Sequence, residues 1–565
     1  MSGRETVEPS SDASETARVT QHNQPSTSNS YTSTRLYLAF SALAVMTLMV
    51  ALDSTSIAVA LPIVATELRG SALEAFWSGT SFLLASTVFQ PSFASLSHIF
   101  GRARLILTAL VVFLIGAVVA AVSHSFSMLL TGRSLQGVGA GGIITLTQVV
   151  ITDLVPLRQR GKWASIIASM WAIGSVAGPV IGGAFAQEAT WRWIFWINLP
   201  FIGIAIIMVP LFIRHRQAGS SLRSKLDRID WGGSVLFIGS ITSFLVPISW
   251  GGVMYDWSSW KTLVPLLLGL AGIVGFALYE YHLSEEPLIR PSIFANRTLI
   301  IGYASTVIHG IVLWSLLYYQ PLYFEAVKDL NQVMSGVALF PASLTVAPAG
   351  VATGIIITKT GTVRWPVRVG WLLATAGIGS LICLEVDSST AVWVSVELVT
   401  GLGLGILFPA LLFQVQAAAS ERDAASAASM FSFFRSFGQT IGLAVSETIF
   451  QNEMVRNLAR SRKYGEHAVE LAKDAVMLVQ TISEEPDYTE REALKAAYTD
   501  SVRVIYILLC ALSGLALISA AFVKHYDMNA PLARESGNDS GPQQGSTHGT
   551  KLKVFRPKQH DVGST

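Results

Sequence analysis

An aspartate and an arginine, Asp53 and Arg133, stand inside long apolar runs of this 565-residue sequence. A charged side chain in hydrocarbon costs about 3 kcal/mol or more, so each needs a partner or a purpose. If the run around Asp53 ends near Leu61, a helical rise of about 1.5 Å per residue puts the carboxylate about 12 Å from that end. The run that starts near Ser127 places Arg133 about 9 Å from the same side. The two depths agree within one helical turn, so the side chains are expected to meet or to share a water-filled cavity. In that setting the carboxylate can take up and release a proton, with Arg133 tuning its affinity. The other reading is an ion pair that only fixes helix packing.

A second set of polar residues lies deep in later runs. His309 falls about 15 Å from the end of its run, close to mid-depth. It is either a proton carrier near neutral pH or a hydrogen-bonded packing histidine. Glu397 is either a second proton site or the structural partner of Arg435. Trp314, Tyr318, Tyr319 and Gln320 suit contact with a large amphipathic or aromatic molecule. Aromatic residues at the end of an apolar run also serve as interfacial belts.

The elements that hold these residues follow from composition. Hydrophobic residues make up 51% of the chain and charged residues 13%, against about 25% charged in soluble proteins, and mean hydropathy is +0.50. Apolar runs recur from about residue 36 to 523, each near the roughly 20 residues that cross a bilayer. The predicted fold is therefore an all-α polytopic membrane protein. Fourteen spans are expected, starting near residues 38, 74, 105, 127, 163, 193, 231, 262, 299, 333, 367, 391, 424 and 502. Sixteen basic residues in the loops on the N-terminal side, among them Arg102, Arg104, Arg158, Arg160 and Lys162, face four in the short opposite loops. That imbalance predicts both termini in the cytoplasm. Residues 1–35 and 524–565 are polar and read as disordered tails. The first apolar run is of full spanning length, so it reads as a retained helix rather than a cleaved signal. Residues 466–481 have the spacing of an amphipathic surface helix within an outer loop at 451–500.

Two copies of one pattern are visible. "ASLSHIFGRARLI" follows the second span and "GIIITKTGTVRWPV" the tenth, aligning Gly101 with Gly361. Internal duplication is common in secondary transporters. It divides the chain into a six-helix half at 36–213, a linker with an inserted helix pair at 214–298, and a second six-helix half at 299–523.

Five segments then match a known pattern, and the sequence resembles the fourteen-helix drug:proton antiporters of the major facilitator superfamily. "LDSTSIAVALP" is similar to that family's LDxTIVNVALP, with Ser56 and Ala58 departing from it. "LLTGRSLQGVGAG" carries R-x-x-Q-G-x-G through Arg133, Gln136, Gly137 and Gly139. "GSVAGPVIGG" carries G-x-x-x-G-P-x-x-G-G through Gly174, Gly178, Pro179, Gly182 and Gly183. "WRWIFWINLP" and "YYQPLYFEAVKDLNQVMSGVALFP" resemble the family's sixth, ninth and tenth helices. Where its loop pattern G-x-L-a-D-r-x-G-r-k has an aspartate, this chain has His98, ahead of Gly101, Arg102 and Arg104. The resemblance implies a cytoplasmic gate at these positions, and the histidine suggests a weaker or pH-sensitive lock, or a tolerated loop residue.

The same resemblance implies a proton-coupled efflux transporter, working as a monomer in the plasma membrane ahead of the vacuolar one. Its partners would be protons, lipid and a small hydrophobic or amphipathic substrate such as a drug, toxin or secondary metabolite. Gln136, Trp314, Tyr318, Gln320 and Arg435 are the expected cavity residues, and Asp53, Arg133, His309 and Glu397 the proton-coupling set. An uptake symporter, as for siderophores, and a receptor without flux are the alternatives. A nucleotide-driven pump would need a phosphate loop, but the one Gly-Lys pair, Gly161-Lys162, is followed by Trp163. An embedded enzyme would need a nucleophile with its base or a metal cluster, and the ten histidines show no zinc-enzyme grouping, so no enzyme and no cofactor are expected. The charge of +2 gives no footing for nucleic acid, and the two cysteines, Cys383 and Cys510, fall in apolar runs.

Gly174, Gly178 and Gly182 recur every four residues and form a smooth stripe for close helix contact, with a bend at Pro179. The two-half architecture predicts the outer half of the tenth span as partner, through Ser335, Gly336, Ala338, Ala342 and Ser343. That contact would make the stripe an outer hinge and seal.

Overall fold

The computed structural model describes residues 33–524 and 526, apart from 71, 214–221, 253, 285, 461–462 and 473–474. The expected tails lie almost wholly outside the described residues, as does the first part of the basic linker. Within the described chain the backbone is helical, and no strand forms beyond one isolated bridge between Gly251 and Tyr255. Lipid offers no partner for a bare N–H or C=O, so the backbone satisfies itself within helices.

By the division expected from the sequence, the first half holds α1 (Ser33–Glu67), α2 (Ala72–Phe100), α3 (Arg102–Ala121), α4 (Phe126–Leu154), α5 (Leu157–Glu188), and the broken pair α6 (Trp193–Trp196) and α7 (Asn198–Phe212). A short α8 (Leu222–Asp227) leads into α9 (Trp231–Trp250) and α10 (Trp260–His282). The second half comprises α11 (Arg297–Lys328), α12 (Gln332–Ala338) with α13 (Phe340–Thr360), α14 (Arg364–Leu381), α15 (Thr390–Ala418) and α16 (Ala424–Leu458). Short α17 (Ala468–Leu471) and α18 (Ala475–Glu484) then precede α19 (Tyr488–Ala520). Polar caps set several starts: Asp230 accepts from Gly233 N at 2.7 Å, Asn296 from Leu299 N at 2.9 Å and Asn331 from Met334 N at 2.8 Å. Each satisfies an N–H that the first helical turn leaves open.

Among the described residues, counting α6 with α7 and α12 with α13 as one each, eleven helices are long and apolar enough to cross a membrane. The long helices α2 and α16 fall outside that set, and both are rich in polar side chains turned into the protein. Gln90 of α2 donates to Ser436 of α16 at 2.8 Å, and Thr87 meets Thr440 at 3.4 Å. Polarity here marks a helix buried among helices, which a hydropathy reading undercounts. The pair α9 and α10 pack closely on each other, Gly269 lying against the backbone of Phe244. Phe237 of α9 lies against Phe433 of α16, their centroids 5.5 Å apart, and Trp250 of α9 against Trp77 of α2 at 6.4 Å, so the inserted pair leans on both α16 and α2.

A chain of contacts defines one face of the bundle. Tyr37 packs on Trp163 at 5.3 Å, Arg160 reaches Gln416 at 3.3 Å, Asn296 bonds Ala418 O at 2.9 Å, and Lys524 N bonds Thr298 at 3.3 Å. The starts of α1, α5 and α11 and the ends of α15 and α19 therefore share it. It is called the terminus face below, and the opposite side the far face.

Three expectations need correction. The first helix continues through Pro62 to Glu67 rather than ending near Leu61. α16 continues to Leu458 and α19 starts at Tyr488, so the outer segment is only 459–487. The amphipathic helix expected over 466–481 is divided among a 3-10 turn at Gly465–His467, α17 and α18. Lys463 reaches Glu485 at 2.6 Å across this segment and holds that carboxyl below its ordinary range.

The glycine stripe also has a different partner. A Cβ at Gly174 would fall 2.6 Å from Ala51 Cβ, at Gly178 2.0 Å from Thr55 Oγ1, and at Gly182 2.1 Å from Ser56 O. The stripe thus seats α5 on α1 within one half, not on the tenth span. Successive helix residues point about 100° apart, so the adjacent Pro179 and Val180 face elsewhere. They lie 3.8 and 3.6 Å from a Cβ built at Gly336 of α12. Gly182→Leu would drive a side chain into the α1 backbone, and overpacking costs about 1–3 kcal/mol or more. Folded yield in detergent chromatography and transport are therefore expected to fall together. A wild-type yield of inactive protein would return the stripe to a hinge role.

Candidate functional site

The buried cluster at Asp53 assembles from three helices. Asp53 of α1 and Arg133 of α4 meet at 2.6 Å, both side chains fully shielded from solvent. The second carboxylate oxygen accepts from Gln136 Nε2 at 2.8 Å and Asn198 Nδ2 at 2.7 Å. Arg133 also donates to Gln136 Oε1 at 2.9 Å and, through Nε, to Ser78 O at 3.1 Å, with its guanidinium 4.4 Å from the Phe82 ring centre. A buried charge demands this degree of pairing. Even so, Arg133 Nη2 and Asn198 Oδ1 have no hydrogen-bond partner among the described residues.

The R-x-x-Q-G-x-G pattern now has a physical reading. Spacing of three puts Arg133 and Gln136 on one face of α4, where both reach Asp53. Gly137 lets α4 approach the backbone of α2, where a Cβ would lie 2.5 Å from Phe82 O, and Gly139 does the same at Ala109 O of α3, at 2.6 Å. Asn198 was missed in the sequence, although it is an amide within an apolar run, inside the quoted "WINLP".

Directly above the cluster a cavity of about 680 Å³ separates the halves. Ser54 and Thr55, next to Asp53, form part of its floor with Thr80, Leu83 and Trp314. It extends along Tyr318, Pro179 and Gly336 to Gln187, Asn331 and Gln480 at the far face. A smaller pocket of about 40 Å³ lies deeper, among Ser54, Gln148, Trp171, Trp314, Phe408 and Arg435. Trp314 and Tyr318 thus line the cavity, and Arg435 the deeper pocket with its guanidinium 4.1 Å from the Phe408 ring centre. Gln136 and Gln320 line neither: Gln136 serves Asp53, and Gln320 is buried within α11, its Nε2 unpartnered among the described residues.

The other deep polar residues stand apart from this space. His309 is 1% exposed, with Nε2 3.3 Å from Leu404 O. Glu397 is equally buried, and its Oε2 has no partner among the described residues. It makes no ion pair with Arg435. Glu397 lies about 10 Å from the far-face start of α15, whereas Arg435 lies about 16 Å from the terminus-face start of α16, so their depths differ. Tyr319 donates instead to Glu447 at 2.5 Å, and Gln451 bonds the same carboxylate at 2.8 Å. Glu447 went unnoticed because the sequence places it near the end of a span.

At the terminus face the halves are in contact. Ser165 of α5 donates to Gly350 O of α13 at 2.9 Å, and a Cβ at Gly354 would lie 2.7 Å from Gly161 O. Gly101, with φ of 98°, makes the tight corner between α2 and α3, and Gly361, with φ of 67°, the corresponding corner after α13. Both backbone conformations favour a residue without Cβ. Arg102 bonds Asp153 at 2.9 Å, Ser97 at 2.7 Å and His98 Nδ1 at 3.1 Å. Guanidinium only donates, so Nδ1 is the bare nitrogen of His98. The corner is thus tied within the first half, Asp153 supplying an acid. Arg104 is exposed nearby, while His98 also borders a 420 Å³ cleft shared with Ser426, Ser429 and Met430 of α16.

Residues 43–443 match the family described as Major Facilitator Superfamily. The chain belongs to the major facilitator superfamily. Among its superfamily relatives is "MFS transporter L2" of a Phoma species, 51% identical over 503 residues that cover 89% of this chain and 84% of that one. "Efflux pump FUS6" of Gibberella moniliformis is 36% identical over 528 residues, 91% of this chain and 92% of its own. In fold, the chain is similar to a bacterial homolog of the human lysosomal transporter Spinster, solved in an inward-facing and occupied conformation. That likeness has a TM-score of 0.55 at 18% identity and covers 87% and 97% of the two chains.

Proposed function

We propose that this protein is a proton-coupled secondary exporter of small apolar or amphipathic compounds, of the toxin or secondary-metabolite kind. The cavity between the halves carries the proposal: it reaches one face, is sealed at the other, and has Asp53 under its floor. Two such halves, rocking about a fixed site, give alternating access. The names of the relatives support the direction, one being called an efflux pump. In this reading α2, α14 and α16 also cross the bilayer, giving fourteen spans. The terminus face is cytoplasmic, the far face is the exterior of the plasma membrane, and the working unit is a monomer.

Asp53 has the chemistry of the coupling group. Its charge is held by one cation and two amides, so taking up a proton weakens all three contacts at once. The clamp joining α1, α4 and α7 would loosen, and Ser54 and Thr55, one step along α1, would pass that movement to the cavity floor. Substrate bound there and a proton on Asp53 then favour opposite states of one helix set.

The test is flux. Energised cells producing the protein are expected to hold less of a fluorescent amphiphile such as rhodamine 6G than cells without it, with the difference abolished by a protonophore. Accumulation instead of depletion would establish uptake, as in a siderophore symporter, and a ligand response without flux would establish a receptor.

A further inference from the structure

The wall of the large cavity carries a carboxylate that no cation among the described residues neutralises. Glu325 of α11 lines it together with Trp314, Leu317, Tyr318 and Pro321, a spacing of three and four that makes one helix stripe. Its Oε1 accepts from Ser335 at 2.8 Å. Among the described residues no lysine, arginine or histidine nitrogen lies within the 4.0 Å of an ion pair.

The neighbouring cations are committed elsewhere. Arg491 bonds Asp329 at 2.7 Å, Lys495 bonds the other oxygen of Asp329 at 2.6 Å, and Lys495 also meets Glu492 at 3.3 Å. Two cations are thus matched by two carboxylates, and Glu325 is left without a cation of its own among the described residues. Much of the remaining wall is apolar, including Leu61, Leu83, Leu322 and Leu443. A carboxylate against such a wall gains most from a charged donor, because charge-assisted hydrogen bonds are about twice as strong as neutral ones. A ligand carboxylate placed at Glu325 would meet repulsion and desolvation together. The volume suits a drug-sized molecule, which such pockets enclose at about 300–1,000 Å³.

We infer that Glu325 is a specificity-determining residue, and that the cavity selects amphipathic organic cations: an apolar ring system against Trp314 and Tyr318, and a protonated nitrogen on Glu325. This inference rests on the cavity being the substrate site of the proposed exporter.

The experiment is isothermal titration of the purified full-length protein near neutral pH with three probes sharing one ring system. These are 1-naphthylmethylamine, 1-naphthylmethanol and 1-naphthylacetic acid. The wild type is expected to bind the amine about tenfold more tightly than the alcohol, and the acid most weakly. Glu325→Gln should lose that tenfold while binding the alcohol within about twofold of wild type, which also reports an intact cavity. Glu325→Asp should keep the order of the three probes. Equal wild-type affinity for amine and alcohol, an undiminished amine preference in Glu325→Gln, or no binding of any probe overturns the assignment. The same preparation in proteoliposomes separates the two readings. Amine selectivity that depends on Glu325, without proton-driven flux, removes the exporter and leaves the assignment standing; flux without that selectivity does the reverse.

Discussion

Asp53→Asn is expected to abolish uphill, proton-driven export while sparing exchange of labelled substrate across a membrane with no pH difference. The variant cannot carry a titratable proton at the one carboxylate bonded by Arg133, Gln136 and Asn198. Exchange needs only the rocking of the halves, so it should survive. Stability should fall as well, since removing one partner of a buried ion pair leaves the other uncompensated, at about 3–5 kcal/mol. Flux must therefore be counted per folded molecule. The double variant Asp53→Asn with Arg133→Gln separates the two effects. Neutralising both partners is expected to recover much of the thermal stability, because neither charge is then left buried alone, without restoring uphill transport. Proteoliposomes with an imposed pH gradient give the reading, and wild-type uphill flux in Asp53→Asn would remove this residue from coupling.

The second large effect concerns the two ends of the interface between the halves. A Cβ at Gly354 would lie 2.3 Å from Ser165 Oγ and 2.7 Å from Gly161 O. The hydroxyl can turn away, but the carbonyl belongs to the α5 backbone. Gly354→Leu should therefore disfavour closure at the terminus face by about 1–3 kcal/mol, shifting the balance of states about five- to a hundred-and-fiftyfold. Gly336, at the far end of the same interface, has only ordinary contacts with Val180 and Pro179 at 3.6 and 3.8 Å. Gly336→Leu should fold well and prop the far side apart. Both variants are expected to lose transport, with opposite accessibility of the cavity. A cysteine at Leu317, in a chain with Cys383 and Cys510 replaced by serine, reports this through an impermeant maleimide added at the far face. Labelling should slow at least about fivefold in Gly354→Leu and persist in Gly336→Leu. Unchanged labelling in Gly354→Leu would show that this seal does not govern access.

These predictions differ from those the sequence suggests, and the difference is instructive. The stripe "GSVAGPVIGG" announces close packing through its spacing alone, yet it contains nothing that names the opposing helix. The seal between halves lies instead at Gly161 and Gly354, which no motif marks. Glu325 and Glu447 satisfy the same rule that singles out Asp53, an ionisable group in a spanning helix. They were passed over because the span ends read from hydropathy fell beside them. Conversely, Glu397 and Arg435 suggest a pair because both lie within spans and are opposite in charge, but on two antiparallel helices they fall at different depths.

The sequence by itself determined a great deal: the membrane setting, the order and spacing of the helices, the family, and the depth match of Asp53 with Arg133. Each of these is written in local periodicity or in a motif carried by one helix. Tertiary structure alone decided which faces meet: Asn198 completing the Asp53 clamp, α1 as the partner of the glycine stripe, and Glu325 opening onto the cavity without a cation. The reason is physical. A helix fixes which residues share a face within one turn, but in lipid, where apolar faces differ little in solvation, helix partners are chosen by shape and by the pairing of a few buried polar groups. Those pairings join residues up to hundreds of positions apart, and only the packed bundle brings them together.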